Sequence, residues 1–367
     1  MLSFGIMTLN KRSEQPYFTE LAKRANDYNI NCFRFVPTDI NPVSETIAGD
    51  SYNPSSGEWE PAEFPVPEIL YDRCFYRSDS NSKQCISIVN WLKARKDIQF
   101  LGYGLPNKLE LYKILSCSNI SPYLLKTTQF TGSESFINSL IPDEPCILKP
   151  ASGSQGHGIY YFKKTGKEIL VKTDKRNAQV SRSFETEEKA AQWLNNLTAK
   201  QQYLIQPYVN LSNKDGQPFD IRILLQKDRN GAWKELGRGI RTGREGGIVS
   251  NLSAGGSMVS FEEWVTQYPP SLRSFLSDEL NDIIDTLPAA LERQLPPLFE
   301  IGIDIGVETN GSIWILDINS KPGRKTILYN HPEKEEELYT TPLLYAKYLT
   351  ANKELERRTN HEKTISN

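Results

Sequence analysis

Residues 298–323 read LFEIGIDIGVETNGSIWILDINSKPG, with two runs rich in β-branched residues on either side of Asn310-Gly311. An Asn-Gly pair in this setting predicts a β-hairpin closed by a two-residue type I′ turn. Because the turn fixes the register, Asp304 is expected directly opposite Asp317. By the same register, Gly302 faces Asn319. The hairpin therefore brings two carboxylates together.

Side chains alternate between the two faces of a strand, so the predicted register separates a polar face from an apolar one. The polar face carries the two carboxylates and an amide with small neighbours, namely Gly302, Asp304, Gly306, Asp317 and Asn319. The apolar face is predicted to comprise Ile301, Ile303, Ile305, Trp314, Leu316 and Ile318.

The polar face is best explained by a divalent cation. Carboxylates opposed across two strands lie about 5 Å apart at Cβ and repel each other. A cation reverses the sign of that interaction, and two carboxylates with one amide are the oxygen ligands that Mg²⁺ accepts, with phosphates or water completing its shell. The alternative is a solvated hairpin face on which the acids are incidental.

Composition narrows the functional class. The 367 residues include 38% hydrophobic side chains, enough for ordinary cores of two or three domains, and the net charge of -2 argues against nucleic acid as a partner. The five cysteines are scattered and never form CxxC, which suits free thiols in a reducing compartment. No signal-peptide pattern and no apolar run of membrane-spanning length is present, so we expect a cytoplasmic protein without a membrane span.

A glycine-rich loop follows a predicted strand at 146–149. The segment ILKPASGSQGHG (147–158) places Lys149 at the end of an apolar run, where a buried ammonium needs an anion. Backbone N–H groups of the loop can surround phosphate oxygens, although the P-loop pattern GxxxxGK[ST] is absent. The alternative is a surface loop beside a lysine that reaches solvent. The candidate phosphate-binding residues of the loop are Ser152, Gly153, Gln155 and Gly156.

A second hairpin is predicted around Asn230-Gly231, and its register places Asp220 opposite Arg241. Arg222 shares their face. A guanidinium pair there would grip a phosphate or an acyl phosphate, whereas a surface ion pair is the alternative. The following loop, 250–256 (SNLSAGG), offers backbone donors for an oxyanion, or serves as a lid hinge or a connector. The candidate catalytic residues are Arg222, Arg241, Asn251, Gly255 and Gly256.

The order of these features resembles that of the ATP-grasp ligases, especially their glutathione-synthetase-like and RimK-like members. Within them the chain is most similar to the spore-coat-associated YheC/YheD branch, through YFTELAKRA, PFDIRILLQ, GGIVSNLSAGG and EIGIDIG…WILDINSKPGR. The resemblance spans nearly the whole chain, and its motifs are specific jointly rather than singly.

The resemblance implies an α/β (α+β) chain with the ATP-grasp fold, in which two α+β subdomains clasp ATP behind a small open-sheet domain. The open-sheet, Rossmann-like domain would occupy residues 1–105. The two ATP-grasp subdomains would occupy 106–203, with the glycine loop, and 204–341, with the metal hairpin. A C-terminal helix and a frayed tail would follow at 342–367.

The family's site residues can be transferred where this sequence matches. Lys108 and Lys149 fall where ATP-grasp enzymes place the lysines that contact ATP. The hinge beside the adenine corresponds to Gln206, Tyr208 and Val209, and the ribose position to Asp220. The resemblance assigns two Mg²⁺ ions, replaceable by Mn²⁺, to Asp304, Asp317 and Asn319, with Asp317 as the bridge.

Three positions depart from the family pattern. Relatives commonly have Glu where this chain has Gln206 and Asp317, and often Arg where it has Val249. The Asp side chain keeps the charge of the metal ligand. The valine removes a phosphate contact.

The leading hypothesis is an ATP-dependent carboxylate–amine ligase that works through an acyl phosphate on small-molecule acids and amines such as amino acids or peptides. Two alternatives stay open: a spore-coat component that binds ATP without turnover, and an ATP-grasp kinase. Homodimers are frequent among the relatives, and spore association follows from the branch name, but neither oligomeric state nor substrate can be deduced from the residues.

Overall fold

Three β-sheets succeed one another along the chain in the computed structural model, which describes residues 1–77, 79–153, 158–175, 178–250 and 257–365, with side chains as far as Leu355. Helices pack on each sheet. The predicted mixed α/β (α+β) class is confirmed.

The first sheet has a parallel centre, as the alternation of strands and helices predicts, with β1 between β2 and β6. Its strands are β1 (Leu2–Met7), β2 (Ile30–Phe35), β3 (Ile40–Asn41), β4 (Thr46–Asn53), β5 (Glu58–Pro65), β6 (Ile69–Asp72) and β7 (Gln99–Phe100). Two helices bury apolar residues on it, α1 (Gln15–Ala25) and α2 (Ser80–Ala94).

The second sheet has the order β12-β11-β10-β9-β13-β8 and is antiparallel throughout. Its strands are β8 (Thr128–Gln129), β9 (Cys146–Pro150), β10 (Tyr160–Thr165), β11 (Glu168–Lys175), β12 (Ala178–Phe184) and β13 (Tyr203–Pro207). It follows α3 (Lys108–Ser116) and packs on α4 (Ser133–Ser139) and α5 (Glu187–Thr198). One face buries Phe162 and Leu148 against these two helices, so this sheet has a core of its own.

The third sheet has the order β16-β15-β14-β17-β18. Its strands are β14 (Phe219–Lys227), β15 (Trp233–Thr242), β16 (Ser257–Ser260), β17 (Glu300–Val307) and β18 (Ile313–Asn319). The helices α6 (Phe261–Val265) and α7 (Pro270–Glu292) cover its apolar face, where Ile301, Ile303 and Ile305 are buried as predicted. The opposite face is thereby left to carry polar residues.

The register predicted for the metal hairpin is confirmed, since Asp304 pairs with Asp317 and Gly302 with Asn319. The predicted type I′ turn is wrong. Gly311 alone of the two turn residues has a positive φ, 88°, and the Glu308 carbonyl accepts from the Gly311 N–H at 2.9 Å. A three-residue loop that ends on one left-handed glycine is the next commonest hairpin closure.

A β-bulge restores the register that this longer loop would have shifted. Ile305 pairs with Ile315, whereas Asp304 pairs with Asp317, so Leu316 is the extra residue. The assignment of Trp314 and Leu316 to the apolar face is therefore wrong: Ile313 and Ile315 enter the core instead.

The second hairpin repeats this pattern. Gly231 has a φ of 77°, a register shift falls at Leu224/Leu225, and Asp220 pairs with Arg241 as predicted. The two-residue turn is again replaced by a longer loop, in which the Gly231 N–H donates to the Asp228 carbonyl at 3.0 Å.

The end of the chain packs on both the first and the third sheet. After α8 (Lys325–Asn330), the helix α9 (Glu335–Ile365) begins before the predicted start at 342, and the predicted frayed tail is helical as far as Ile365. One core combines β1, α1 and α9 with Leu224, Leu236 and Phe299 of the third sheet. The domain limits at 105, 203 and 341 stay a prediction.

Candidate nucleotide and metal site

Lys108 lies at the first residue of α3, between the second and third sheets. The helix begins there because the Asn107 side chain accepts from the backbone N–H groups of Leu109 and Glu110, at 3.0 and 3.1 Å, as predicted for an N-cap. The Lys108 ammonium donates to Asp317 Oδ1 at 2.7 Å. A residue of α3 thus reaches the metal hairpin.

Lys149 approaches the same hairpin from β9. It is 9% exposed, and its Nζ donates to the Leu316 carbonyl, the bulge residue, at 3.1 Å. Burial, together with the charge of Lys108, lowers the pKa of Lys149 to about 8, although Asp317 and Asp304 act in the opposite direction. A buried ammonium with this deficit of negative charge favours an anionic ligand.

A cleft joins the two lysines. It lies between α3, the second sheet and β18. Its charged groups lie together, since Lys108 pairs with Asp317 and Lys149 donates to the carbonyl of the preceding residue, Leu316, and most of the other lining residues are apolar. Its lining consists of Lys108, Leu111, Tyr112, Leu115, Leu124, Leu125, Thr127, Lys149, Leu204, Gln206, Ile315, Leu316, Asp317 and Ile318. A mainly apolar slot with convergent charges suits a ligand with a flat ring and an anionic tail.

The polar face of the third sheet holds a network of two arginines and two carboxylates. Arg222 donates to both oxygens of Asp304, at 2.5 and 3.0 Å, and Arg241 Nη2 lies 2.9 Å from Asp304 Oδ1. Burial raises the pKa of Asp304, but the two guanidinium groups outweigh it and bring the pKa down to about 2. Asp304 is therefore held as a carboxylate.

Asp220 is the other carboxylate of this network. Arg241 grips it with two hydrogen bonds of 2.7 and 2.6 Å, and the Ser250 hydroxyl also donates to it. Burial raises the pKa of Asp220, Arg241 lowers it, and the charge of Asp304 raises it, with a net increase. The predicted face therefore exists, and its arginines already bind carboxylates.

The comparisons with known proteins agree with this geometry. Residues 97–349 match the family model described as "YheC/D like ATP-grasp". The chain belongs to the YheC/D-like ATP-grasp family. It is 37% identical over 350 residues to the endospore coat-associated protein YheC of Bacillus subtilis (strain 168), covering 95% of this chain and 96% of the relative.

Solved structures show that the fold is that of ATP-grasp ligases. The D-cycloserine synthetase DcsG has a TM-score of 0.55 at 10% identity, covering 95% of this chain and 99% of its own. The ATP-grasp ligase PsnB, solved with a precursor variant, Mg and ADP, has a TM-score of 0.51 at 11% identity, covering 95% and 99%. The predicted ATP-grasp fold and the YheC/YheD assignment are confirmed.

In this YheC/D-like ATP-grasp chain, the hairpin's donor set fits Mg²⁺. Within the described residues, no group of three or more acidic, His or Cys side chains could hold a metal ion. The hairpin offers two carboxylates and the Asn319 amide, which lies 3.4 Å from Asp317 Oδ2. Because Mg²⁺ takes one or two carboxylates and completes its shell with water and phosphate, this smaller set is sufficient.

Of the predicted hinge residues, Gln206 lines the cleft, and Tyr208 and Val209 follow just after β13. The Gln206 amide donates to the Thr127 hydroxyl at 2.7 Å, and the Tyr208 ring meets the Tyr161 ring edge-on at 4.9 Å. Val209 follows the end of β13 and is half-buried. Their contacts with adenine stay predictions.

The glycine loop is described except at residues 154–157. Ser152 and Gly153 are exposed, and Gly153 has a φ of 137°. The loop begins beside α3, where the Lys108 N–H donates to the Ala151 carbonyl at 3.2 Å. The remaining loop candidates, Gln155, Gly156, Asn251, Gly255 and Gly256, lie outside the described residues.

Sequence reasoning missed three groups of the site. Thr127 positions Gln206, the Leu316 carbonyl accepts from Lys149, and Ser250 donates to Asp220. The serine opens a loop that the sequence did single out, so its proximity to Asp220 could have been suspected. The bulge that turns Leu316 toward the cleft has no signal in the sequence.

Proposed function

We propose that this protein is an ATP-dependent ligase that joins a carboxylate to an amine through an acyl phosphate. The observation that carries the proposal is the convergence of Lys108, Lys149 and Asp317 in one mainly apolar cleft, with Asp304 opposite Asp317 on the adjacent strand. Relatives with this fold include an ATP-grasp ligase solved with Mg and ADP. In this proposal the nucleotide ring would lie against the apolar lining and the phosphates would lie beside the lysines.

The reaction balances in two steps. A substrate carboxylate oxygen bonds to the γ-phosphorus of ATP, the bond from that phosphorus to the bridging oxygen breaks, and ADP leaves. An amine nitrogen then bonds to the acyl carbon, the carbon–oxygen bond to phosphate breaks, and the amine loses a proton. The products are an amide, ADP and phosphate.

The chain's own residues supply the charge that these steps need. Lys149 and Lys108 would bind phosphate oxygens in the cleft, while Gln206, Tyr208 and Val209 would border the adenine. Asp220 would take the ribose. Bound Mg²⁺, as two ions or with Mn²⁺ in its place, would neutralise phosphate charge. Asp304, Asp317 and Asn319 would hold it.

Arg222 and Arg241 would bind the acyl phosphate. Both guanidinium groups contact Asp304, on the face that Asp317 shares. Arginine binds planar oxyanions through paired hydrogen bonds, so these groups would bind the phosphate of the intermediate as it forms. The glycine loop and the Asn251, Gly255 and Gly256 segment would add backbone donors.

A second candidate function is a spore-coat component that binds nucleotide without turnover. It is favoured by the 37% identity to a relative named as endospore coat-associated. We therefore propose that the protein is made in the cytoplasm and associates with the spore. That it forms a homodimer is also a proposal. None of the helices among the described residues has the length and apolar character needed to cross a membrane.

The decisive experiment is a mass-spectrometric screen of small acids, amino acids and peptides incubated with the protein, ATP and Mg²⁺. A ligase yields ADP together with a condensation product that lacks phosphate, whereas a kinase yields a phosphorylated product. The ligase proposal would be refuted if no pool of compounds led to ADP and if Asp304→Ala and Asp317→Ala left nucleotide binding intact. Coat assembly that fails without the gene but recovers with the Asp317→Ala protein would favour the coat component.

A further inference from the structure

A second contact joins the second and third sheets, two strands away from Lys149. At the end of β11, Asp174 Oδ2 accepts from two consecutive backbone N–H groups, those of Ile248 at 2.7 Å and Val249 at 3.0 Å. Hydrogen bonds to an ionised acceptor are roughly twice as strong as neutral ones. One carboxylate of the second sheet therefore grips the backbone of a loop that belongs to the third.

Neighbouring groups reinforce the same contact. The Gln179 amide of β12 donates to the Gly246 carbonyl at 2.6 Å, and Arg244 Nη2 donates to the Lys175 carbonyl at 3.1 Å. A Cβ at Gly247 would lie 2.9 Å from the Arg244 carbonyl of the same loop and 3.4 Å from Asp174 Oδ2, so glycine permits the tight turn that presents the loop to Asp174. We call Asp174, Gln179 and residues 244–249 the latch.

The latch leads directly to the metal face. Its loop continues into Ser250, whose hydroxyl donates to Asp220, and Asp220 in turn binds Arg241. Arg241 also contacts Asp304. A chain of polar contacts thus connects Asp174 with the groups proposed to bind the acyl phosphate.

Among the described residues, none of the latch lies in the buried apolar core of either sheet. The second sheet buries its own core with α4 and α5, and the third sheet buries a separate core with α7. Hydrogen bonds rather than a shared core therefore set where the latch loop lies. If the Asp174 carboxylate is removed, the N–H groups of Ile248 and Val249 must hydrogen-bond to water instead. The loop would then open locally more often.

We infer that Asp174 is a positioning residue: its carboxylate fixes residues 248–250, and through Ser250 it fixes the Asp220–Arg241 pair at the site of reaction. Asp174 itself does not touch the substrate. The catalytic part of this inference rests on the proposed ligase function, whereas the structural part does not.

Hydrogen exchange of the full-length protein tests the structural part. In Asp174→Ala, amide exchange in a peptide covering 244–250 should accelerate about tenfold or more, because its acceptor is gone. Asp174→Asn keeps one acceptor oxygen without the charge, so its exchange rate in this peptide should lie between those of the wild type and Asp174→Ala. The matched control is Asp143→Asn: Asp143 lies next to the same sheet, and its polar contacts there among the described residues are with Lys163, Thr165 and the Lys164 carbonyl rather than with the latch loop.

Calorimetry with Mg·ADP and ADP formation in the substrate screen test the catalytic part. In Asp174→Ala, kcat for ADP formation should fall about tenfold or more, and the dissociation constant for Mg·ADP should rise as well, because the Asp220 that the latch positions is proposed to take the ribose. Asp143→Asn should leave both quantities unchanged. Unchanged exchange at 244–250, or the same increase in Asp143→Asn, overturns the inference. Absence of ADP formation by the wild-type protein would instead refute the ligase proposal, and the exchange result would still decide whether Asp174 holds the loop.

Discussion

Lys149 has a buried ammonium whose surroundings favour binding of an anionic ligand over stability of the fold. Its ammonium is buried, its hydrogen-bond acceptor is a neutral carbonyl, and its pKa is lowered to about 8 by burial and by Lys108. The apolar run ILKP gives no sign that the buried ammonium has a neutral rather than an anionic hydrogen-bond acceptor. Besides burial, the pKa is lowered because α3 brings a second lysine to the same place.

We predict that Lys149→Met weakens Mg·ADP binding about tenfold or more, because a phosphate loses its buried cation, while the thermal midpoint stays equal or rises. Isothermal calorimetry and thermal unfolding measure the two quantities. Lys189→Met is the control, since Lys189 is exposed on α5 and pairs only with Glu185 four residues earlier. Equal affinities for the two variants would contradict the role of Lys149.

Asp317 is predicted to link nucleotide affinity to the metal. Asp317→Asn keeps the shape of the side chain but removes the charge that Lys108 now pairs with. The affinity for ADP should then become nearly independent of Mg²⁺, whereas EDTA should weaken ADP binding by the wild type. Asp215→Asn, at an exposed turn of the same subdomain, should keep the full Mg²⁺ dependence. Retained dependence in Asp317→Asn would remove Asp317 from the ligand set.

At the scale of elements, the two hairpins of the third sheet share one solution. In each hairpin, Asn-Gly lies in a connecting loop that is longer than the predicted two-residue turn. A bulge in the strands then restores the predicted register. Two departures cancel, so Asp304 faces Asp317 and Asp220 faces Arg241 although the turn type was wrong. The bulge in β18 also turns the Leu316 carbonyl toward Lys149.

The glycine at the second hairpin gives a prediction at this scale. Gly231 has a φ of 77°, and a Cβ there would lie 2.6 Å from the Tyr348 ring of α9, whereas Gly166 has a φ of 61° with open space around it. Gly166→Ala should lower the free energy of unfolding by about 1 kcal/mol from backbone strain alone. Gly231→Ala should lower it by more, because Tyr348 must also move. Urea unfolding measures the free energy of unfolding of both variants. Equal decreases would show that Tyr348 of α9 can move aside without destabilising the protein.

At the scale of the whole molecule, a buried ion cluster joins the first sheet to the third. Arg73, which is fully buried, donates to Glu14 at 2.8 and 2.6 Å and to Glu300 at 2.7 Å. Arg324, from the segment after the metal hairpin, donates to Glu300 at 2.9 Å. The cluster and the shared core with α9 hold the first sheet and the third together, whereas the second sheet keeps its own core.

Glu300→Gln should therefore destabilise the protein by about 3–5 kcal/mol, because two buried guanidinium groups lose their shared carboxylate. Chemical unfolding followed by circular dichroism measures the loss. Glu185→Gln removes an exposed carboxylate from an i,i+4 pair on α5 and should change stability by about 0.5 kcal/mol or less. A loss of that small size in Glu300→Gln would mean that the cluster is not a structural link.

The sequence by itself determined the elements whose cause is local. Alternation of side chains and the Asn-Gly pairs were sufficient to predict the two hairpins and the pairs that face each other in them, Asp304 with Asp317 and Asp220 with Arg241, and Asn107 marked the start of α3. The motif order was sufficient for the ATP-grasp family. These inferences succeed because strand alternation and capping depend on neighbours in the chain.

Only the tertiary structure decided what depends on residues far apart in sequence. The bulge at Leu316 placed Ile313 and Ile315 in the core, Lys108 lowered the pKa of Lys149, and Asp174 found its donors in a loop more than 70 residues away. Burial, charge and hydrogen-bond partners at these positions come from the packing of one sheet against another. No pattern within a single strand or loop encodes that packing.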